Sequence, residues 1–288
     1  MWNMQDLLSR LPVQRFRNPP LVIPVIRLAG VIGQVAAFRQ GLTLSHLAGT
    51  IDRAFAFQRA PAVALAINSP GGSAVQSALI AARIRELAQE KNKKVYAFVE
   101  DVAASGGYWL ALAADEIYAD PNSIVGSIGV VSAGFGFPGL ISRFGVERRV
   151  YTAGRSKVIL DPFQPEKAED VEKLKALQAE IHENFKAQVR ERRGAKLKAE
   201  DGVLFEGEFW TGRTAQSLGL VDGIGHMRPI LREKFGDRVK LRLVGQERAW
   251  LRRRFSFTGS SGGSLVEGWA GEALAAVEER ALWQRFGL

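Results

Sequence analysis

From Leu21 onward, short apolar runs alternate with longer segments of helical period, and this alternation narrows the chain to an α/β domain with covered sheets. Val63 to Ile67 is a continuous apolar run stopped by Asn68-Ser69-Pro70-Gly71-Gly72, which reads as a buried strand ending in a turn. Leu44, Leu47, Ile51 and Phe55 give a helix before it. Ser73 to about Glu90 gives a helix after it, with Ala78, Ala81, Ala82, Ile84 and Leu87 available for burial. Lys94 to Glu100 is the next strand, and a helix-compatible run follows from Tyr108 to Ala113. Ile117 to Ala119 and Gly126 to Ser132 read as further strands, separated by the turn Asp120-Pro121-Asn122. A charged helix from about Pro165 to Arg193 carries one apolar stripe, Val171, Leu174, Leu177, Ile181, Phe185 and Val189, and a small α/β piece covers Phe205 to Val244.

The run from Leu21 to Phe38 is broken by Pro24, Arg27, Gly30 and Gly33, so it reads as buried strands and not as a membrane span. Residues 1–20 form a separate segment in which Met4, Leu7, Leu8 and Leu11 fall at helical spacing. A short interfacial helix carrying Trp2 is one reading of it, and a secretory signal is not supported. The domain expected to follow covers 21–245. Residues 246–288 are a basic and glycine-serine linker leading to an amphipathic helix with Leu265, Trp269, Leu274, Val277 and Trp283.

Composition removes several chemistries. The chain has no cysteine, which excludes disulfides, thiolate nucleophiles and cysteine-bearing metal sites. Its three histidines, His46, His182 and His226, lie far apart, and His182 sits among charges on the long helix, where it reads as solvated. No metal or other cofactor is expected. The charge of +9 is concentrated: Arg228 to Thr258 holds ten basic and three acidic residues. Such a stretch is most simply a solvated face. Anionic lipid is the other reading, while nucleic acid has no recognition motif to support it.

Ser105 stands between the strand and the helix, followed by Gly106-Gly107. Two readings are open: a tight turn, or a nucleophile whose following amides face a developing oxyanion. The glycine pair Gly71-Gly72 ends another strand and offers a second donor. A serine nucleophile needs a base, and between Lys94 and Lys167 there is a single lysine, Lys157, followed by Val158-Ile159-Leu160. A free lysine, with a pKa of about 10.4, is almost wholly charged at pH 7, so a lysine base must be desolvated. On these residues alone Lys157 is equally a base or a surface charge. Ser127, in Gly126-Ser127-Ile128-Gly129-Val130, is a hydroxyl that could orient a neutral amine.

Taken together these residues resemble the signal peptide peptidase A family of Ser/Lys peptidases, within the Clp protease and crotonase type of fold. The likeness runs in order through Asn68-Ser69-Pro70-Gly71-Gly72, Ala104-Ser105-Gly106-Gly107-Tyr108, Asp115-Glu116-Ile117-Tyr118-Ala119, Gly126-Ser127-Ile128-Gly129-Val130, Lys157, Gly212-Arg213-Thr214-Ala215 and Gly219-Leu220-Val221-Asp222. It implies a repeated ββα core with a C-terminal helical appendage. It further implies Ser105 as nucleophile, Lys157 as general base 52 positions later, Ser127 as the orienting hydroxyl, and Gly71, Gly72 and Gly106 around the oxyanion.

The implied function is a serine endopeptidase acting on unstructured, largely apolar peptides such as cleaved signal peptides. The chain is about half as long as tandem-repeat members, so it would supply one peptidase unit. In single-unit members the serine and lysine come from neighbouring protomers, which implies a homo-oligomer with shared sites. A cytoplasmic location is expected, with peripheral contact at the inner face of the membrane as one role for the basic stretch. Three rival readings remain. A Clp-type Ser/His/Asp peptidase needs a histidine where this chain has Val130, and a crotonase-like acyl-CoA enzyme needs no Ser/Lys pair. The third is a noncatalytic membrane- or protein-binding scaffold of the same fold.

Overall fold

A computed structural model describes residues 20–33, 41–154, 156–245, 276–277 and 280–288. The expected N-terminal interfacial helix, the linker, and the part of the expected C-terminal helix that carries Leu265, Trp269 and Leu274 lie outside the described residues.

Three parallel strands form the centre: β1 (Val22–Ala29), β2 (Ala62–Ser69) and β3 (Lys94–Ala104). Parallel neighbours require crossovers, supplied by α1 (Leu44–Phe55) and α2 (Ala74–Glu90). Each helix starts at a hydroxyl cap, with Thr43 accepting from the His46 N–H and Ser73 from the Gln76 N–H. Strand alternation divides β2 between two cores: Val63, Leu65 and Ile67 pack under α1 and α2, whereas Ala62, Ala64 and Ala66 face a smaller cluster with Leu231 and Val239.

β3 runs four residues beyond the Lys94-to-Glu100 strand expected from sequence, and this extension carries the chain to Ser105. The sheet forks along it. β4 (Glu116–Ala119) pairs with the first half of β3 and β5 (Ile124–Gly126) with the last three residues, while the β2 register slips between Ile67 and Ser69. Outer strands complete eight: β6 (Phe209–Thr211) antiparallel to β5, β7 (Gly223–Ile224) beside β4, and β8 (Lys240–Leu243) at the edge beside β1.

The remaining helices are α3 (Gly106–Ala111), α4 (Pro138–Arg143), α5 (Ala168–Arg193), α6 (Asp201–Leu204), α7 (Gly212–Ser217) and α8 (Met227–Phe235). α5 anchors by one end. Phe185 stacks on Trp109 of α3 at 4.7 Å and Val189 is fully buried, but Leu177 and Ile181 of the expected stripe are exposed.

Two expected features differ. The strand expected at Gly126–Ser132 stops at Gly126, because Ser127 adopts φ 53° and its N–H turns to the Glu208 carbonyl. The helix expected from Pro165 begins at Ala168.

Candidate active site

Ser105 precedes a helix, where serine ordinarily adopts an extended backbone and caps the first turn. Here it has φ 52° and ψ −123°, and its hydroxyl makes no capping bond. A non-glycine residue in the left-handed region costs about 1–2 kcal/mol, so the fold must hold it there. Two contacts do so: the Ser105 N–H donates to the Gly126 carbonyl at 2.8 Å, and Gly71 presses on the other side. A Cβ on Gly71 would lie 2.8 Å from Ser105 Cβ, 2.9 Å from the Ala104 oxygen and 3.0 Å from the Gly106 nitrogen. Only glycine permits that approach.

The turn beside it is equally tight. Gly72 bridges to Ile32, and a Cβ there would sit 2.1 Å from the Ile32 oxygen. The Gly71 N–H donates to Ser69 Oγ, whereas among the described residues neither the Gly72 nor the Gly106 N–H donates a hydrogen bond. A methyl group on Gly106 would stand 3.5 Å from the Gly72 nitrogen, so these two amides are neighbours.

Ser105 opens on a cleft of about 290 Å³ whose walls include Ser127, Val130, His182, Phe205 and Arg285. Ser127 is largely buried, and its backbone, like that of Ser105, is left-handed. The structure therefore gathers Ser105, Ser127, Gly71, Gly72 and Gly106. It does not bring Lys157 to them within one chain: that lysine is exposed and absent from the cleft walls.

Lys157 instead belongs to an arm, described over residues 131–154 and 156–163, held by its own contacts. Arg148 pairs with Asp161 at 2.9 Å and lies over the Phe163 ring, Phe137 packs between Phe135 and Phe163, and the Leu160 N–H donates to Asp170 on α5. The hydrogen bond from Arg148, joined by the Phe163 N–H, holds the Asp161 carboxyl below the usual carboxylate range. Yet the arm leaves Val131, Phe135, Phe144, Val146 and Tyr151 exposed, Tyr151 by 91%.

Sequence reasoning missed several contributors to the cleft, His182, Phe205, Glu206 and Arg285 among them. His182, read as solvated, donates from Nε2 to the Ile128 carbonyl at 3.1 Å and lines the cleft. Phe205 and Arg285 come from distant stretches whose sequence carries no sign of the site.

Residues 87–237, just over half of the chain, match the family model described as Peptidase family S49. The chain belongs to this family. A second model, the NfeD1b N-terminal domain, matches residues 38–135. Among curated relatives, the Na(+)/H(+) antiporter NhaA of Brucella abortus (strain 2308) is 57% identical over 291 residues, covering 99% of this chain and 39% of the relative. The chloroplastic serine protease SPPA of Arabidopsis thaliana is 32% identical over 211 residues, 70% of this chain and 30% of the relative. Protease 4 of Haemophilus influenzae is 33% identical over 226 residues, 76% of this chain and 35% of the relative. The chain spans well under half the length of each.

These relatives place the chain with the signal peptide peptidase A proteins, and the mostly parallel eight-stranded sheet agrees with their Clp protease/crotonase type of fold. Several motifs that carry the S49 likeness prove to build the scaffold. The Asp115 carboxylate accepts from the Val95 N–H and Arg85, and Asp222 accepts from the Ile117 N–H, Arg193 and Lys196. Tyr108 donates to the Leu220 carbonyl. Asp115 joins the start of β3 to α2, Asp222 joins β4 to the end of α5, and Tyr108 joins α3 to the loop before β7.

Proposed function

We propose that this chain is a serine peptidase with Ser105 as nucleophile, Lys157 of a neighbouring copy as general base, Ser127 as the hydroxyl orienting the lysine amine, and the Gly72 and Gly106 amides as oxyanion donors. The observation that carries the reading is Ser105 itself: a strained serine that lines a cleft, does not cap its helix, and has two unengaged amides next to it. The neutral lysine amine takes the hydroxyl proton as Oγ attacks the scissile carbonyl carbon, and the negative oxygen settles on the two amides. The ammonium then protonates the leaving amine. Water, deprotonated by the same lysine, releases the acyl group from Ser105.

Supply of Lys157 by a second copy is supported by its exposure outside its own cleft and by the apolar face of the arm that carries it. A heterologous contact of this kind gives a homo-oligomer with shared sites, and a ring where its rotation closes. The cleft's Val130 and Val131 offer contact to unstructured apolar peptides, including signal-peptide remnants. The test is fluorophosphonate labelling together with a peptide-library digest. Labelling and cleavage in the parent, both absent in a folded Ser105→Ala variant, support the reading; cleavage by pure Ser105→Ala protein refutes it.

A membrane-surface site of action fits the basic edge of the molecule. Arg228 and Arg232 on α8, Arg238, and Lys240 and Arg242 on edge strand β8 are exposed, and a relative named as an antiporter contains a counterpart of this chain. Among the described residues no helix is long and apolar enough to cross a membrane. Binding to anionic vesicles that weakens steeply with salt supports this, and no binding at low salt refutes it.

A further inference from the structure

The turn that presents Ser127 has few supports of its own. Ser127 is left-handed at φ 53°, its N–H is taken by the Glu208 carbonyl, and the Gly129 N–H closes a three-residue turn onto the Ser127 carbonyl at 3.0 Å. That leaves the carbonyl of Ile128, a residue wholly removed from solvent, as the open acceptor of the turn. His182 meets it. A carbonyl oxygen only accepts, so the 3.1 Å contact fixes the proton on Nε2, and among the described residues no other donor reaches this oxygen.

The side chain comes from a rigid source. His182, Phe185 and Val189 fall on one face of α5, and Phe185 stacks on Trp109 of the helix that Ser105 begins. One helix therefore braces both serines: the Ser105 helix through Phe185, and the Ser127 turn through His182. We infer that His182 is a positioning residue, which acts on the reaction only by holding the Ser127 hydroxyl in line with the lysine amine. This rests on the reading of Ser127 given above. It asks nothing of His182 as an acid or base, since neutral imidazole protonated at Nε2 and imidazolium both donate from that nitrogen.

The test is a double-mutant cycle on the full chain, with kcat and KM measured on a fluorogenic peptide and folding followed by thermal unfolding. His182→Leu removes the donor; His182→Gln restores one at similar reach. Misplacement of a group at the reacting centre by a fraction of an ångström lowers rates by about ten- to a hundredfold. The expected result is a loss of that size in kcat for His182→Leu with KM little changed, and recovery to near parental kcat in His182→Gln. In a Ser127→Ala background His182→Leu should add no more than about a twofold loss, because residues acting through one group are not additive. Parental kcat in a folded His182→Leu variant would overturn the inference. So would an undiminished His182→Leu loss in the Ser127→Ala background, which would leave the role of Ser127 intact. If Ser127→Ala alone leaves kcat unchanged, the reading of Ser127 fails and the inference with it.

Discussion

Replacing Gly71 by alanine should cripple the site without unfolding the protein. The added methyl group meets Ser105 Cβ at 2.8 Å, the Ala104 oxygen at 2.9 Å and the Gly106 nitrogen at 3.0 Å, and none of these is the free end of a flexible side chain. Two costs combine: about 1–2 kcal/mol for a left-handed alanine and about 1–3 kcal/mol for overpacking, a total of roughly 2–5 kcal/mol. Folded domains have about 5–15 kcal/mol to lose, so the variant should remain folded at 25 °C with a lower Tm. Relief of the overlap moves Ser105 and the neighbouring amide by about half an ångström, and if Ser105 is the nucleophile proposed above a loss of roughly tenfold in kcat/KM is expected. Gly30 is the internal control: its φ of 111° is close to the 105° of Gly71, but a methyl group there meets nothing within 4 Å. Gly30→Ala should lose stability through backbone strain alone and keep near-parental kcat/KM. Peptide hydrolysis and thermal unfolding of both variants decide the matter. Gly71→Ala with activity equal to that of Gly30→Ala would refute the packing of this turn against Ser105.

Three further outcomes follow from the same structure. Lys157→Arg should be nearly as inactive as Lys157→Ala, since guanidinium keeps its charge and accepts no proton; full activity would assign the base elsewhere. Burial disfavours the Asp222 carboxylate, but hydrogen bonds from Arg193, Lys196 and the Ile117 N–H outweigh it and hold that carboxyl below its usual range. Its contribution to stability is therefore full above the unfolded value of about 3.9 and is lost as pH falls through the lower native one. Asp222→Ala strands Arg193, only 4% exposed, and should cost about 3–5 kcal/mol in urea unfolding at pH 7, with the gap to the parent closing in acid; a variant as stable as the parent would refute the pairing. Phe144→Glu, on the exposed face of the lysine arm, should shift the protein toward monomer in sedimentation and reduce hydrolysis, and an unchanged assembly would remove that face from the interface.

What the sequence discloses about this site depends on how local each feature is. The strand, glycine turn and helix around Ser105 are written in contiguous residues, and the strand end at Asn68-Ser69-Pro70-Gly71-Gly72 is equally plain. The Ser127 region reads as a strand in sequence because its apolar and small residues fit one. What ends β5 is tertiary: the Glu208 carbonyl captures the Ser127 N–H, and Trp210 packs where a side chain on Gly126 would go. His182 was hidden by charged neighbours, since only the packing of Phe185 on Trp109 shows which face of the helix points inward. The same packing explains the half-exposed stripe: Phe185 and Val189 find α3, whereas Leu177 and Ile181 lie beyond it. Asp115 and Asp222 stood in motifs of the family likeness, yet their work as anchors for backbone amides becomes legible only once β3 and β4 are paired.

Whether the Ser105 of one copy works with the Lys157 of another is read directly from mixtures of two inactive variants. Purified Ser105→Ala and Lys157→Ala proteins, each inactive, are dissociated, mixed in equal amounts and reassembled, and mixed oligomers are verified by mass. If the pair forms between copies in a closed ring, random mixing joins an intact serine to an intact lysine at about a quarter of the sites, and hydrolysis returns to about that fraction of the parental rate. If the pair forms within one chain, every site lacks a partner, and mixed oligomers that stay inactive would rule out a site shared between copies.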